Sequence, residues 1–388
     1  MKNFSLLQKK YVVNTFPNRG LVLVEGSGAY LKDDSGEEYL DLMTNYGVNI
    51  FGYGHPEITG ALVRQLQRLT SLHGSFVSDT RAEAAQALVN RCGGGVAQVY
   101  FANSGAEANE AALKFAVLAT GRKRFVVCRC GYHGKTLGAL SATDGIKYRE
   151  AFEPLLWDFA RVDFNSPAAL EEALDERTAA FIVEPIQGEG GIQVPDPGYL
   201  QQAKKLCESK GSVLILDEIQ TGTGRLGHFL ASHPEGIAYD ILCLGKGLAG
   251  GLPVGATLVN PKIAERIPRL SHTSTFGGNP LVAAGILATL RILDDGMLSR
   301  IQSIGEYFLQ GLQGLKSDLI VGVKGKGLMI GLEVREKRDD ILRELQRQNV
   351  LAIPAADGVV RFLPPYILEK EQVDFALDRL EKSISLLS

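Results

Sequence analysis

No stretch of this sequence approaches the roughly 18 uninterrupted apolar residues that a membrane span requires, and Met1-Lys-Asn-Phe-Ser5 opens without the apolar run of a leader. Charge of one sign is also missing. Lys and Arg number 41 against 44 Asp and Glu, leaving −3 at neutral pH, which argues against a nucleic-acid or membrane-surface partner. Cysteine is scarce and odd in number: Cys92, Cys128, Cys130, Cys207 and Cys243 are scattered over expected strands and helices, so a disulfide framework is not expected. The cysteines and six histidines show no metal-ligand spacing. Cys128-Arg-Cys130 has no second pair, and no helix aligns His228 with His233, so no metal is expected. Internal repeats and low-complexity segments are absent. These absences lead to the expectation of a soluble, cytoplasmic protein with reduced thiols.

What is present is an ordinary globular composition, 45% hydrophobic and 22% charged over 388 residues, enough for two or three domains. Short β signals alternate with turns at the start: Gly20–Glu25, Ala29–Lys32 and Glu38–Leu42 read as an antiparallel meander. Helical patterns follow over Glu57–Leu69 and Thr80–Cys92. Then comes a succession of short apolar runs, Val99–Phe101, Phe125–Val127, Ala180–Val183, Val213–Leu216, Ile241–Leu244 and Val254–Val259. Helical segments such as Ala106–Ala119 and Gly198–Lys210 separate several of them. That alternation predicts an α/β fold, a doubly wound and mainly parallel sheet covered on both faces, with ligands beyond the carboxyl ends of its strands. Helical patterns over Leu281–Asp294, Leu298–Leu315 and Asp339–Gln348, around short β runs, predict an α+β tail. The expected division is a small domain built from residues 1–50 and 271–388, with a large α/β domain at 51–270.

The most unusual stretch is Ile241-Leu-Cys-Leu-Gly-Lys246-Gly-Leu-Ala-Gly-Gly-Leu-Pro-Val-Gly255, a buried-strand pattern that ends at a lysine among glycines. Lys246 is either a solvated loop residue or an amine whose partial desolvation lowers its pKa, so that it can attack a carbonyl. Asp217 directly follows the Val213–Leu216 run. It is either a turn cap or the carboxylate that keeps a heterocyclic nitrogen protonated. Ser104 and Glu107, after Val99–Phe101, have the spacing of a capping box, and the same helix start offers free N–H groups to an anion. Tyr132, just past the Phe125–Cys128 strand, is either ordinary packing or an aromatic that stacks on a flat ligand.

Three glycine-rich runs mimic nucleotide motifs. Gly222-Thr-Gly-Arg-Leu-Gly227 and Gly245-Lys-Gly-Leu-Ala-Gly250 match G-x-G-x-x-G, yet neither opens a convincing helix, so a nicotinamide-dependent dehydrogenase loses its structural context. Gly131-Tyr-His-Gly-Lys-Thr136 would need a glycine where Arg129 stands to be a P-loop.

Asn103-Ser-Gly-Ala-Glu-Ala-Asn109, Tyr132-His-Gly134, Glu184-Pro-Ile-Gln-Gly-Glu-Gly-Gly191, Leu216-Asp-Glu-Ile-Gln-Thr-Gly222, Leu244-Gly-Lys-Gly247 and Ser274-Thr-Phe-Gly-Gly-Asn-Pro280 occur in one order over nearly the whole chain. Together they resemble the class III, fold type I pyridoxal-phosphate aminotransferases, and within that group the acetylornithine aminotransferases. The resemblance implies pyridoxal 5′-phosphate as cofactor. It also implies transfer of an ω-amino group from N-acetylornithine or a close relative to 2-oxoglutarate, as in arginine biosynthesis. Ornithine, 4-aminobutyrate or a carrier-linked lysine as donor, and a PLP aminomutase, are the alternatives within the family. A binding protein that keeps the fold without catalysis is a further one.

Carried over by resemblance, Lys246 would form the Schiff base and then move the proton, and Asp217 would bind the pyridinium nitrogen. Gln220 would lie near the phenolic oxygen. Ser104, Gly105 and Ala106 would hold the phosphate, helped by Thr275 from a second subunit, which implies a homodimer with shared sites. Tyr132 would stack on the ring with His133 beside it, and Glu184 belongs to the same cofactor set. On the substrate side, Arg361 in Val360-Arg-Phe-Leu-Pro-Pro365 would clamp the 2-oxoglutarate α-carboxylate, and Glu189 would pair with Arg361 when the other donor is bound. Ser274 and Lys135 complete the substrate set. Lys135 departs from the arginine usual in the family, keeping the charge but not the bidentate geometry.

Overall fold

The computed structural model describes residues 3–387. The chain opens with a helix, Phe4–Tyr11, that the sequence patterns did not suggest and none of whose residues is buried. Strands β1 (Leu23–Ser27), β2 (Tyr30–Asp33) and β3 (Glu38–Asp41) then form the expected antiparallel meander. Seven further strands build the central sheet: β4 (Gln98–Ala102), β5 (Arg124–Cys128), β6 (Asp158–Val162), β7 (Thr178–Val183), β8 (Val213–Asp217), β9 (Ile241–Gly245) and β10 (Gly255–Val259). Their spatial order is β4-β10-β9-β8-β7-β5-β6.

Two features of this sheet depart from the apolar pattern. The edge strand β6 was not anticipated, because Asp158-Phe-Ala-Arg-Val162 carries charges and only its last residue is buried. β10 runs antiparallel to both neighbours, β9 and β4. The segment between β9 and β10 is too short for the crossover that a parallel strand demands, and it returns through a tight loop instead. The remaining pairings are parallel, so β4, β5, β7, β8 and β9 all end on one edge of the sheet.

Side chains alternate between two cores, as the strand period requires. Val126, Phe181, Leu214, Leu216, Leu242 and Leu244 enter one, and Phe125, Val127, Ile182, Ile215, Ile241 and Cys243 enter the other, which is covered by the helix Gly105–Thr120. Each buried Leu or Ile contributes about 1.5–3 kcal/mol, so a carboxylate added to such a row needs compensation. Asp217, in step with Val213 and Ile215, faces that helix.

The C-terminal part adds β11 (Ile320–Lys326), β12 (Met329–Val334), β13 (Val350–Leu351), β14 (Ile353–Ala355) and β15 (Val359–Phe362). β13 joins the N-terminal meander by parallel pairing of Val350 with Leu40. The sheet β11-β12-β15-β14 carries Arg361, set opposite Gly331 and Ile353.

Candidate active site

Five strand ends supply the site. After β4 the chain turns into the helix Gly105–Thr120, with Ser104 as N-cap and its Oγ accepting from the Glu107 N–H at 3.2 Å. The reciprocal half of the expected capping box is displaced by one residue. Glu107 accepts from the backbone N–H of Asn103 (2.9 Å) and from its side-chain amide (2.8 Å), not from Ser104. The N–H groups of Gly105 and Ala106 have no partner among the described residues, and the helix dipole adds positive potential there. Glycine is needed at Gly105, where a Cβ would sit 2.8 Å from Ile219, and at Gly255, where it would meet the Ser104 carbonyl at 2.1 Å. Close packing around the helix start thus presses it against the ends of β8, β9 and β10.

At the end of β8, Asp217 is only 3% exposed, and its burial is compensated by donors. Oδ2 accepts from His133 Nδ1 (2.7 Å) and Asn109 Nδ2 (2.8 Å), and Oδ1 from the Ile219 N–H (3.1 Å). Burial works against a charged His133 ring, yet the hydrogen bond and charge of Asp217 lift its pKa above the ordinary histidine value. Asn109 also donates to the His133 carbonyl at 2.7 Å. Two buried atoms here lack partners among the described residues, His133 Nε2 and Asn109 Oδ1.

Past β7, burial pushes the Glu184 carboxyl up to about 7. Its oxygens accept from the Tyr132 and Gly188 N–H groups (2.9 and 3.1 Å), so Glu184 braces the turn that presents Tyr132. Tyr132 meets Tyr148 edge-on, with ring centroids 5.9 Å apart.

Lys246 follows β9 in the left-handed region at φ 45, a conformation that costs a non-glycine residue on the order of 1–2 kcal/mol. Its amine makes no hydrogen bond with another described residue. Burial, helped by the charge of Arg361 and opposed by Glu189, Glu184 and Asp217, lowers its pKa to about 8. A side chain held in strain with a depressed pKa is suited to chemistry.

Across the cleft, Arg361 is fully buried. It donates to Glu189 (2.6 Å), Gln220 (3.2 Å) and the Pro354 carbonyl (3.2 Å), and its guanidinium lies 5.5 Å from the Tyr46 ring. A cavity of about 290 Å³, lined among others by Tyr132, Lys147, Tyr148, Glu189 and Asp357, opens beside this pair. Lys135 is exposed, its ammonium 5.1 Å from the Tyr148 ring. Ser274 Oγ accepts from the Asn103 amide (3.2 Å) and the Gly277 N–H (3.0 Å). Thr275 is exposed and makes no hydrogen bond within the described chain. A larger cleft of about 700 Å³ between Leu315 and Ser385 contains no comparable constellation.

The structure therefore brings Ser104, Gly105, Ala106, Tyr132, His133, Glu184, Glu189, Asp217, Gln220, Lys246 and Arg361 to one edge of the sheet. It leaves Lys135 at the rim and Thr275 outside. Asn109, Tyr46 and Tyr148 were not assigned a role from sequence. For Asn109 a signal existed, since it lies one helical turn after Gly105 on the same face. For Tyr46 there was none, because its position depends on left-handed backbone at Thr44, Asn45 and Tyr46.

A family model described as aminotransferase class-III matches residues 12–384. The acetylornithine aminotransferase of Methanosarcina acetivorans is 39% identical over 98% of this chain and 96% of its own. The [LysW]-aminoadipate semialdehyde transaminase of Deinococcus radiodurans is 39% identical over 97% of this chain and 89% of its own. A solved ornithine aminotransferase from Toxoplasma gondii, with PLP at partial occupancy in its active site, has a TM-score of 0.94 at 34% identity and covers 99% of this chain and 93% of that one.

Proposed function

This chain belongs to the class-III aminotransferase family, which is pyridoxal-phosphate-dependent, and from that premise we propose that it moves the ω-amino group of N-acetylornithine or a close ω-amino acid to 2-oxoglutarate in a ping-pong cycle. The buried Asp217 carboxylate and the free N–H groups at Gly105 and Ala106 fit a group that carries a ring nitrogen and a phosphate. Ser104, Gly105 and Ala106 would hold the phosphate, Asp217 the ring nitrogen with His133 behind it, Tyr132 the ring face and Lys246 the aldehyde carbon. Bound there, pyridoxal phosphate supplies an electron sink for the electrons left when a proton departs from the carbon bearing the amino group.

The chain's own residues do the rest. Lys246, with a pKa of about 8, can take and return a proton near neutral pH, where a normal lysine amine is almost wholly protonated. Asp217, fixed by its donors, is ready to hold a positive ring nitrogen. Arg361 binds a carboxylate bidentately once Glu189 lets go of it.

The observation that carries the reading is the 2.6 Å Arg361–Glu189 ion pair in the cleft. With Glu189 in place, the arginine is masked and a donor can enter amine-first. When 2-oxoglutarate arrives, its α-carboxylate competes for the guanidinium. One pocket thereby accepts two differently shaped substrates.

One observation favours a second donor, a lysine linked to an acidic carrier. The ammonium groups of Lys135 and Lys147 both lie 5.1 Å from the Tyr148 ring, forming a cationic rim at the cavity mouth. A screen of acetylornithine, ornithine, 4-aminobutyrate and carrier-linked lysine with 2-oxoglutarate, following glutamate, decides between them. The reading predicts highest kcat/KM for acetylornithine, and a preference above tenfold for another donor would replace it.

The active unit we propose is a cytoplasmic homodimer, with Thr275 completing the phosphate site of its partner. Exposed apolar side chains near that loop support it: Leu270 is 90% and Phe276 61% exposed, and Val77 91%. The small domain is proposed to comprise residues 1–50 and 271–388, and the large one 51–270. Among the described residues no helix is long and apolar enough to cross a membrane.

A further inference from the structure

Asn109 is wholly buried on an alanine-rich helix face, among Ala108, Ala111 and Ala112. The face around it is otherwise apolar, and the asparagine leaves its Oδ1 without a partner among the described residues. Orphaned buried polar atoms are rare in folded proteins and call for a reason. The amide orientation follows from its surroundings, because both groups it touches, the Asp217 carboxylate and the His133 carbonyl, can only accept. Asn109 Nδ2 therefore donates to both, at 2.8 and 2.7 Å.

We propose that Asn109 is a positioning residue that holds the Asp217 carboxylate in register with the Tyr132-His133 turn. It stands one turn after Gly105, on the helix whose N-terminus offers the free N–H groups, so any shift of that helix is transmitted to Asp217 through one amide. Its second hydrogen bond holds the His133 backbone, and His133 Nδ1 in turn donates to the same Asp217 oxygen. The three groups form a closed triangle with Asp217 Oδ2 at one corner. The proposal rests on the reading that Asp217 meets the cofactor ring nitrogen, and it adds that Asn109 acts through that carboxylate and not through the phosphate.

The test compares binding of pyridoxal 5′-phosphate with binding of its analogue in which ring N–H is replaced by C–H, using apoprotein and visible absorbance or fluorescence quenching. Wild type is expected to bind the natural cofactor more tightly than the analogue. Asn109→Leu, close in shape but without a donor, is expected to bind the natural cofactor roughly tenfold more weakly, the scale of one lost hydrogen bond to a charged group. It is expected to bind the analogue within about twofold of wild type, since that ligand makes no demand on Asp217. Asn109→Ala repeats the comparison should leucine overpack the site. Equal weakening toward both ligands, or unchanged affinity for the natural cofactor, overturns the proposal. If wild type shows no preference between the ligands, the Asp217 reading itself fails, and the role of Asn109 falls with it.

Discussion

Lys246→Met in the apoprotein isolates the cost of holding an amine in this site. Methionine keeps the unbranched shape of the lysine stem and removes the charge. The lysine pKa falls from 10.5 to about 8 on folding, which corresponds to about 3 kcal/mol against the charged form at 1.36 kcal/mol per pKa unit. Lys246 keeps some exposure to the open site, so water screening reduces this to about 1–3 kcal/mol. Because the folded pKa lies below the unfolded one, the unfolded chain holds more protons between pH 8 and 10.5. Stability of the wild type therefore rises with pH across that window relative to the variant. The penalty is complete below pH 8 and is largely relieved above 10.5. Urea unfolding of both apoproteins at pH 7 and pH 10 measures it. Wild-type stability relative to the variant should rise by about 1–3 kcal/mol from the lower to the higher pH, whatever methionine does to packing, since packing does not titrate. Parallel pH profiles would refute a depressed Lys246 pKa.

Glu189→Gln should leave Arg361 free for carboxylates. Its KM for 2-oxoglutarate is expected to fall by up to about tenfold, one charged hydrogen bond's worth, while the half-reaction with the ω-amino donor slows; stopped-flow kinetics of each half-reaction separate the two effects, and a raised KM for 2-oxoglutarate would contradict the masking role. Ser104→Ala removes the helix cap and should lower apoprotein stability by about 1 kcal/mol in urea titrations, with a larger loss in cofactor affinity because the phosphate cradle is disturbed as well. Lys135→Arg, which supplies a planar fork at the cavity rim, should raise kcat/KM for acetylornithine relative to 4-aminobutyrate by a few-fold; an unchanged ratio means that Lys135 does not touch the donor.

Much of this site was legible because its residues sit directly after apolar runs. Val213–Leu216 and Ile241–Leu244 are buried strands, so Asp217 and Lys246 had to lie on one sheet edge whatever the details of the loops. Ser104 was legible for a related reason, as a cap at a strand-to-helix turn. The pairing of Arg361 with Glu189 came only from family resemblance, since 172 residues separate them and no local pattern joins a C-terminal strand to the turn after β7. The direction of β10 was hidden because an apolar run reads alike in either sense, and only the loop length betrays it. The spacing of Asn109 from Gly105 is by itself a weak signal, because a single polar residue in a helix is usually solvated, and its burial depends on the phase of β8. The helix Phe4–Tyr11 has no buried face in this chain, so it lacked the packing signal that exposes other helices.

The most direct measurement is borohydride reduction of the purified protein loaded with pyridoxal phosphate, followed by peptide mapping. A pyridoxyl group fixed on Lys246, and its disappearance in Lys246→Met, is the predicted result. Stoichiometric labelling of a different lysine, or unchanged labelling in the variant, would contradict the site described.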